Sequence, residues 1–304
     1  MIELIIEIIK VSFILQVQIF TACLKFFFPG KPKDVSNEVV LITGAGSGIG
    51  RLMAFRFAKL GATVVCSDIN SSANQKTVEE IEEQNGKAYG IVFDCSNREE
   101  VYEAADKIRQ AVGKVTILVN NAGIVTGKKF LQTPDDLAQK TFEVNTLAHF
   151  WTTKAFLPAM MEMDHGHIVS IASAAGLSGV NGLLDYCASK FGAVGFQESL
   201  HLELKALNSN VQTTVVCPYF INTGMFDGAQ TRFPWLLPIM EPEFVVDKII
   251  DAVLHNQEFL LLPRFLHLAA LIRCLVPYPS YVLLCDFFGF SKTMDQFVGR
   301  KKED

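Results

Sequence analysis

The chain has 304 residues, 50% hydrophobic and 19% charged, with a net charge of −5; that length suits one domain of about 250 residues with appendages and an ample apolar core. The acidic balance and the lack of a basic stripe exclude a general electrostatic affinity for nucleic acid. Seven scattered cysteines with no C-x-x-C pair exclude a disulfide framework and a structural zinc, and read as reduced thiols on the cytosolic side.

Residues 1–28 are mostly Ile, Leu, Val and Phe. Glu3, Glu7, Lys10, Gln18, Thr21 and Lys25 recur at helical steps and share a stripe about 80° wide, with Ile14 intruding and Gln16 off it. The first nine residues carry two acids and no Lys or Arg, and no small-residue cleavage site follows, which argues against a cleaved signal peptide. The uncharged run Val11 to Leu24 is 14 residues, short of the ~20 needed to span a bilayer. Phe26, Phe27 and Phe28, then Lys31 and Lys33, follow as at a membrane-water boundary. Residues 1–30 therefore read as an amphipathic membrane anchor lying flat, the alternative being a helix packed on the chain's own core.

From Glu38 short apolar strands alternate with longer helical segments, the pattern of a doubly wound, Rossmann-like α/β fold with a parallel sheet. A strand at Val39–Ile42 runs into Thr43-Gly44-Ala45-Gly46-Ser47-Gly48-Ile49-Gly50 before a helix expected from Arg51 to Leu60. Glycines there let the backbone approach a pyrophosphate held by amides at the helix N-terminus. The spacing is T-G-x-x-x-G-x-G, since Ile49 takes the place of the third glycine of the commoner fingerprint. The next strand, Thr63–Ser67, ends at Asp68, where a carboxylate accepts from an adenosine ribose and repels a 2′-phosphate, favouring NAD over NADP. The competing role for Asp68 is capping the helix that follows. A third strand, Ala88–Phe93, closes with Asp94 and Cys95, placed to meet an adenine edge. A helix from Glu99 to Val112 then leads to strand Thr116–Val119 and to Asn120-Asn121-Ala122-Gly123.

The strand His167–Ala172 ends at Ser173, and thirteen residues later Tyr186 and Lys190 stand four apart where a Gly/Ala-rich helix, Phe191–Leu204, begins. At that spacing Cβ atoms lie roughly 5–6 Å apart on one helical face. An unaided phenol titrates near ~10, and a cation within ~4–6 Å lowers an acid by about 1–3 units. The expectation is that the Lys190 ammonium depresses Tyr186, making it an acid/base for an alcohol or carbonyl. A Ser173 hydroxyl can bond the same oxygen. Tyr-x-x-x-Lys alone is common, and Ser173 sharpens it.

The stretch from Asn222 to Pro242, with Met225, Phe226, Phe233, Trp235 and Met240, is too apolar for a solvent loop. It is a lid over a lipophilic substrate, a membrane-facing patch, or both. A last core helix, Glu243–His255, and a last strand, Phe259–Leu262, end the expected catalytic domain, residues 36–262. Residues 263–304 form an apolar, membrane-associated extension, in which Phe265–Val276 reaches about 18 Å, too short for a ~30 Å hydrocarbon core. It reads as a second interfacial element, with packing on the domain as the alternative. His149, His165, His167 and His201 read as packing or surface residues, without metal ligation.

Together Thr43-Gly44 to Gly50, Asn120-Asn121-Ala122-Gly123, Asn145, Ser173, Tyr186 and Lys190 resemble the motif set of the short-chain dehydrogenase/reductase family over about residues 36 to 262. The runs Ala122 to Phe130, Thr153 to Met160, Gly176 to Gly182 and Asp185 to Phe191 resemble its membrane-anchored epidermal retinol dehydrogenase type. The resemblance implies catalytic Asn145, Ser173, Tyr186 and Lys190, with Asn145 ordering a helix and a relay water, Ser173 on the substrate oxygen, Tyr186 as acid/base and Lys190 on the nicotinamide ribose. It implies NAD contacts from Gly44, Ser47, Gly48, Ile49, Gly50, Asp68, Asp94, Cys95, Asn121, Ala122, Gly123, Tyr186, Lys190, Ile221 and Thr223. One departure is Cys217-Pro218-Tyr219 where the family often has Pro-Gly. The implied activity is NAD-dependent oxidation of all-trans-retinol to retinal. The alternatives are a 17β-hydroxysteroid or other lipid alcohol as substrate, or an NAD-binding lipid-droplet scaffold without turnover. A homodimer on the cytosolic face of the endoplasmic reticulum and on lipid droplets is the implied setting.

Overall fold

A computed structural model describes residues 1–28 and 30–299, apart from the side chains of Ala22, Cys23, Lys25, Phe26 and Phe27. Lys25 of the polar stripe, Phe26 and Phe27 of the boundary motif, and residues 300–304 of the expected extension thus lie outside what is described. The chain divides into two compact units, Met1–Asp34 and Val35–Asp304.

The first unit is one helix, α1 (Ile2–Phe27), of 26 residues. At ~1.5 Å per residue it is about 39 Å long. By length and composition Ile2–Thr21 is apolar enough to cross a membrane. The helix runs unbroken through Lys10, so its length alone does not separate a flat from a spanning arrangement. Its apolar side chains, among them Ile2, Leu4, Phe13 and Phe20, are exposed.

The second unit is built on seven parallel strands: β1 (Val39–Thr43), β2 (Thr63–Asp68), β3 (Lys87–Val92), β4 (Ile117–Asn120), β5 (His167–Ile171), β6 (Gln212–Pro218) and β7 (Phe259–Leu262). Their order is β3-β2-β1-β4-β5-β6-β7. Side chains alternate across a strand, so each strand supplies two cores. Val40, Ile42, Val64, Cys66 and Val119 face α2 (Gly48–Lys59), α3 (Ser71–Glu83) and α8 (Pro242–Leu254), where Met53, Phe57, Ile81 and Ile249 complete one layer. Leu41, Val65, Leu118 and Ile168 face α4 (Arg98–Ala111) and α6 (Ala148–Glu162), where Val101, Ile108, Phe156 and Met160 fill the other. Phe57 is fully buried, and truncating such a ring typically costs about 3–5 kcal/mol.

Chain order reverses between β1 and β4, which pair in parallel with Ile42 opposite Val119. Ligands of open α/β sheets bind at the strand C-termini beside such a switch point. The helix ends are set locally: Asn70 Oδ1 accepts from Ala73 N at 3.0 Å to start α3, and Asn97 Oδ1 accepts from Glu99 N and Glu100 N to start α4. Caps of this kind contribute about 1 kcal/mol each.

Two helices differ from the sequence expectation in a way that matters. α2 begins at Gly48 rather than Arg51, so its amide-rich first turn lies inside the glycine loop. α7 (Leu184–Ala206) begins before Tyr186, which puts both Tyr186 and Lys190 within the helix. After β7, α9 (Phe265–Leu275) and α10 (Tyr278–Phe288) fold back over the strand ends. α9 carries Leu268, Leu271 and Leu275 exposed, and Leu266 buried.

Candidate active site

A cavity of about 530 Å³ runs along the C-terminal ends of the strands. Sixteen of the seventeen sequence-predicted site residues line it: Gly44, Ser47, Gly48, Ile49, Gly50, Asp68, Asp94, Cys95, Asn121, Ala122, Gly123, Ser173, Tyr186, Lys190, Ile221 and Thr223. Asn145 is the exception.

At one end of the cavity the chain makes a cradle of backbone. Gly44 has φ +69°, and a Cβ on Gly50 would stand 2.1 Å from the Gly44 carbonyl oxygen and 2.4 Å from Asn121 Nδ2. No side chain fits there, and the first amides of α2 face the cavity as an anion site. The loop is braced from β4: Thr43 Oγ1 accepts from Asn121 N and Ala122 N at 3.0 and 3.1 Å, and Asn121 Nδ2 donates to Thr43 O at 2.8 Å. Thr43, the first residue of the T-G-x-x-x-G-x-G run, is thus a framework residue that was not among the expected site residues. Asp68 Oδ2 accepts from Gly46 N and Oδ1 from Asn70 N, each at 2.9 Å, which fixes the carboxylate at the cavity edge. It also leaves each oxygen a lone pair for a ribose hydroxyl.

Asp94 reaches the cavity wall already engaged. Its carboxylate accepts from Ser96 Oγ at 2.6 Å and from Lys140 Nζ at 2.9 Å. Burial raises the group, but the Ser96 and Lys140 hydrogen bonds outweigh it and hold the carboxyl below its usual range. Cys95 is buried and its thiol is pushed up to about 12, chiefly by desolvation, so it serves as an uncharged wall.

Ser173, Tyr186 and Lys190 come together between the end of β5 and the start of α7. Ser173 Oγ accepts from Ala175 N at 3.1 Å and donates to Pro218 O at 3.4 Å. Lys190 Nζ donates to Ile171 O at 2.8 Å and stands 5.7 Å from the centroid of the Tyr186 ring. Here the expectation of a lysine-depressed phenol is corrected. Burial raises the Tyr186 phenol, with only the Ser173 hydrogen bond pulling it back, while burial also lowers Lys190 to about 8, against a small opposing effect from Cys217. Desolvation penalises the charged form of both groups.

Asn145 is fully buried in a π-helical turn, Glu143–Leu147, between α5 (Asp135–Phe142) and α6. Its Oδ1 accepts from Ile124 N at 2.8 Å, and its Nδ2 donates to Ile124 O at 2.9 Å and to Ser189 Oγ at 3.0 Å. The side chain therefore ties the loop after β4 to α7. A Cβ on Gly123 would lie 3.3 Å from Asn145 Oδ1 and 3.5 Å from Lys190 Nζ, so the three pack as one unit. His149, buried nearby, is pushed down to about 3 by desolvation and then by the Lys190 charge.

The other end of the cavity is apolar. The loop after β6 is pinned where Ile221 bridges Met240, Phe226 meets the Tyr186 ring edge-on at 5.5 Å, and Trp235 faces out, 80% exposed. Tyr219 packs on Phe220 at 4.6 Å between centroids. The remaining wall is α9 and α10, through Leu266, Ala269, Ala270, Arg273, Tyr281 and then Phe290. None of these was singled out as a site residue, because an apolar segment bounded by prolines has the same composition whether it meets protein or lipid.

The sequence profile of the short chain dehydrogenases matches residues 38–232. The chain belongs to the short-chain dehydrogenase family. This short-chain dehydrogenase is 50% identical over 276 residues to the bovine short-chain dehydrogenase/reductase family 16C member 6, covering 90% of the chain and 87% of that protein. It is also 50% identical to human epidermal retinol dehydrogenase 2, with 90% of each covered. It is 40% identical to retinol dehydrogenase 10 of Xenopus tropicalis, with 99% and 96% covered. Among solved structures, a short-chain dehydrogenase/reductase from Burkholderia phymatum in complex with NAD superposes with a TM-score of 0.73 at 27% identity, over 80% of this chain and 94% of that one. A metagenomic short-chain oxidoreductase in complex with NADP superposes at 0.63 with 27% identity, over 75% and 96%.

Proposed function

We propose that this dehydrogenase oxidises a lipophilic alcohol with NAD, all-trans-retinol to retinal being the first assignment. The observation that carries the chemistry is the convergence of Ser173, Tyr186 and Lys190 on one cavity whose far walls are apolar. The retinoid assignment draws on the relatives named as retinol dehydrogenases. The backbone cradle at Gly44–Gly50 fits a pyrophosphate, and Asp68, with no basic residue at Ile69, fits a 2′-hydroxyl rather than a 2′-phosphate. When bound, NAD supplies the hydride acceptor and a positive charge. Ser173 holds the substrate oxygen, Tyr186 takes its proton, and Lys190 sets the charge beneath the phenol. Asn145 is a positioning residue that holds Ile124 and, through Ser189, the first turns of α7. Gly123 between Asn145 and Lys190 leaves no room for looser packing.

The proposed setting is a membrane or lipid-droplet surface on the cytosolic face of the endoplasmic reticulum. α1 (residues 1–30 with its flank) anchors residues 36–262, and residues 263–304 add a second apolar face through Leu268, Leu271 and Leu275. Homodimerisation through α6 and α7 is supported by their outward Phe150, Met161 and Leu202. The test is NADH formation by the purified, detergent-solubilised full chain with all-trans-retinol. No turnover with any lipid alcohol, alongside retained NAD binding, would leave a scaffold as the correct reading.

A further inference from the structure

One face of α9, Leu266, Ala269, Ala270 and Arg273, follows the i, i+3, i+4, i+7 spacing and lines the cavity. Three of the four are apolar, and the two alanines leave open space. The fourth is a cation. Arg273 is held at the rim in three ways: Nη1 donates to the Leu177 carbonyl, and the guanidinium stacks 5.5 Å from the centroid of Phe191 on α7 and 5.5 Å from that of Tyr281 on α10. Beside it the Tyr281 hydroxyl is hydrogen-bonded to the Ser178 hydroxyl, and both residues also line the cavity.

A guanidinium carries five N–H donors in a fixed plane. Among the described residues Leu177 is the one recorded acceptor from Arg273, so donors remain, and stacking between two rings fixes their direction. A preorganised donor next to an apolar chamber is wasted on a hydrocarbon tail and suits an oxygen. β7 is the edge strand, on the far side of β5 and β6 from the cofactor cradle, so α9 stands at the opposite end of the cavity from that cradle.

We propose that Arg273, with the Ser178–Tyr281 hydroxyl pair, forms a second polar subsite for the remote end of the substrate. The substrate class is then an apolar alcohol with a second hydrogen-bond-accepting oxygen (hydroxyl, ketone or carboxylate) at the end away from the oxidised carbinol. This rests on the lipophilic-alcohol reading above and revises its first assignment: a ring-oxygenated retinoid or a hydroxysteroid is preferred over all-trans-retinol itself, whose far end is bare hydrocarbon.

The experiment uses the full-length enzyme with NAD and matched pairs differing only at the far end. The pairs are all-trans-retinol against its 4-oxo derivative, and 5α-androstan-17β-ol against its 3-oxo and 3-carboxy analogues. A site built to hydrogen-bond an oxygen discriminates strongly against the analogue lacking it, so kcat/KM for an oxygenated member is expected to exceed its partner's by at least about tenfold. Arg273→Leu and, more conservatively, Tyr281→Phe should erase that ratio while leaving the deoxygenated member within about twofold of wild type. A preference for the carboxylate over the ketone identifies an ion pair, and the reverse a neutral hydrogen bond; either supports the subsite. Equal kcat/KM within every pair in the wild type overturns it, as does a variant that slows both members alike. Oxidation of no alcohol in either series overturns the dehydrogenase reading itself, an outcome distinct from oxidation without discrimination.

Discussion

Lys190 donates its ammonium to the main-chain carbonyl of Ile171 at 2.8 Å, so the lysine is tied to the end of β5 while Tyr186, one helical turn earlier, is governed by its own burial. Burial therefore favours the neutral form of both side chains, raising the Tyr186 phenol and lowering Lys190 to about 8, so the positive charge NAD brings when bound bears on both.

That arrangement fixes a pH dependence for stability without cofactor. Burial lowers Lys190 from 10.5 to about 8, so between those values the unfolded chain binds a proton that the folded chain has released. Stability contributed by this group rises with pH across that window and is constant below and above it. A difference of roughly 2.5 units corresponds to about 3 kcal/mol. Subtracting the Lys190→Met profile from wild type in chemical denaturation from pH 7 to 10.5 isolates the effect. A flat difference, or one that falls with pH, contradicts a buried ammonium.

Tyr186→Phe keeps the ring against Phe226 and removes the hydroxyl. Turnover is expected to fall by about 10²–10⁴-fold, the range for general acid-base catalysis, with NAD affinity within a few-fold of wild type. Pre-steady-state NADH formation and binding calorimetry separate the two quantities. Retention of more than about a tenth of the activity would show that another group takes the proton.

Asp68 is held by Gly46 N and Asn70 N at the cavity edge, and Ile69 beside it is exposed. Asp68→Ala with Ile69→Arg removes the repulsion and adds a partner for a 2′-phosphate. The ratio of kcat/KM for NAD over NADP should fall by at least about tenfold, or ~1.4 kcal/mol. A wild-type enzyme already favouring NADP refutes the assignment.

α1 is long enough to span yet carries Glu3, Glu7 and Lys10. A charge at the bilayer centre costs about 2.5–3.5 kcal/mol on insertion scales, which favours lying flat. A glycosylation acceptor placed before Met1 is expected to remain unmodified in microsomes while the protein resists alkaline extraction. Lumenal glycosylation would establish a spanning helix.

The glycine cradle at the switch point was legible because its residues are forced by backbone geometry. Gly50 tolerates no Cβ beside Gly44, and the unbroken apolar run Val39–Ile42 marks a strand buried on both faces. Tyr186 and Lys190 were readable from helical spacing. What spacing cannot carry is direction relative to a cavity: Asn145, in a π-helical turn, spends its side chain on Ile124 and Ser189 and does not line the cavity. Charge effects were likewise misjudged, since proximity of Lys190 to Tyr186 is visible in sequence and the desolvation that outweighs it is not. Arg273 was unreadable as a candidate site residue because its position depends on the ring of Phe191, 82 residues earlier in the chain, and on how α10 folds back to bring Tyr281 beside it.

The profile match ends at residue 232, whereas α9 and α10, which close the apolar end of the cavity, follow Leu262. Every residue proposed for proton transfer or cofactor binding thus precedes the segment that closes the apolar end of the cavity. Replacing residues 263–299 is then expected to change which alcohol is accepted while leaving nucleotide binding in place.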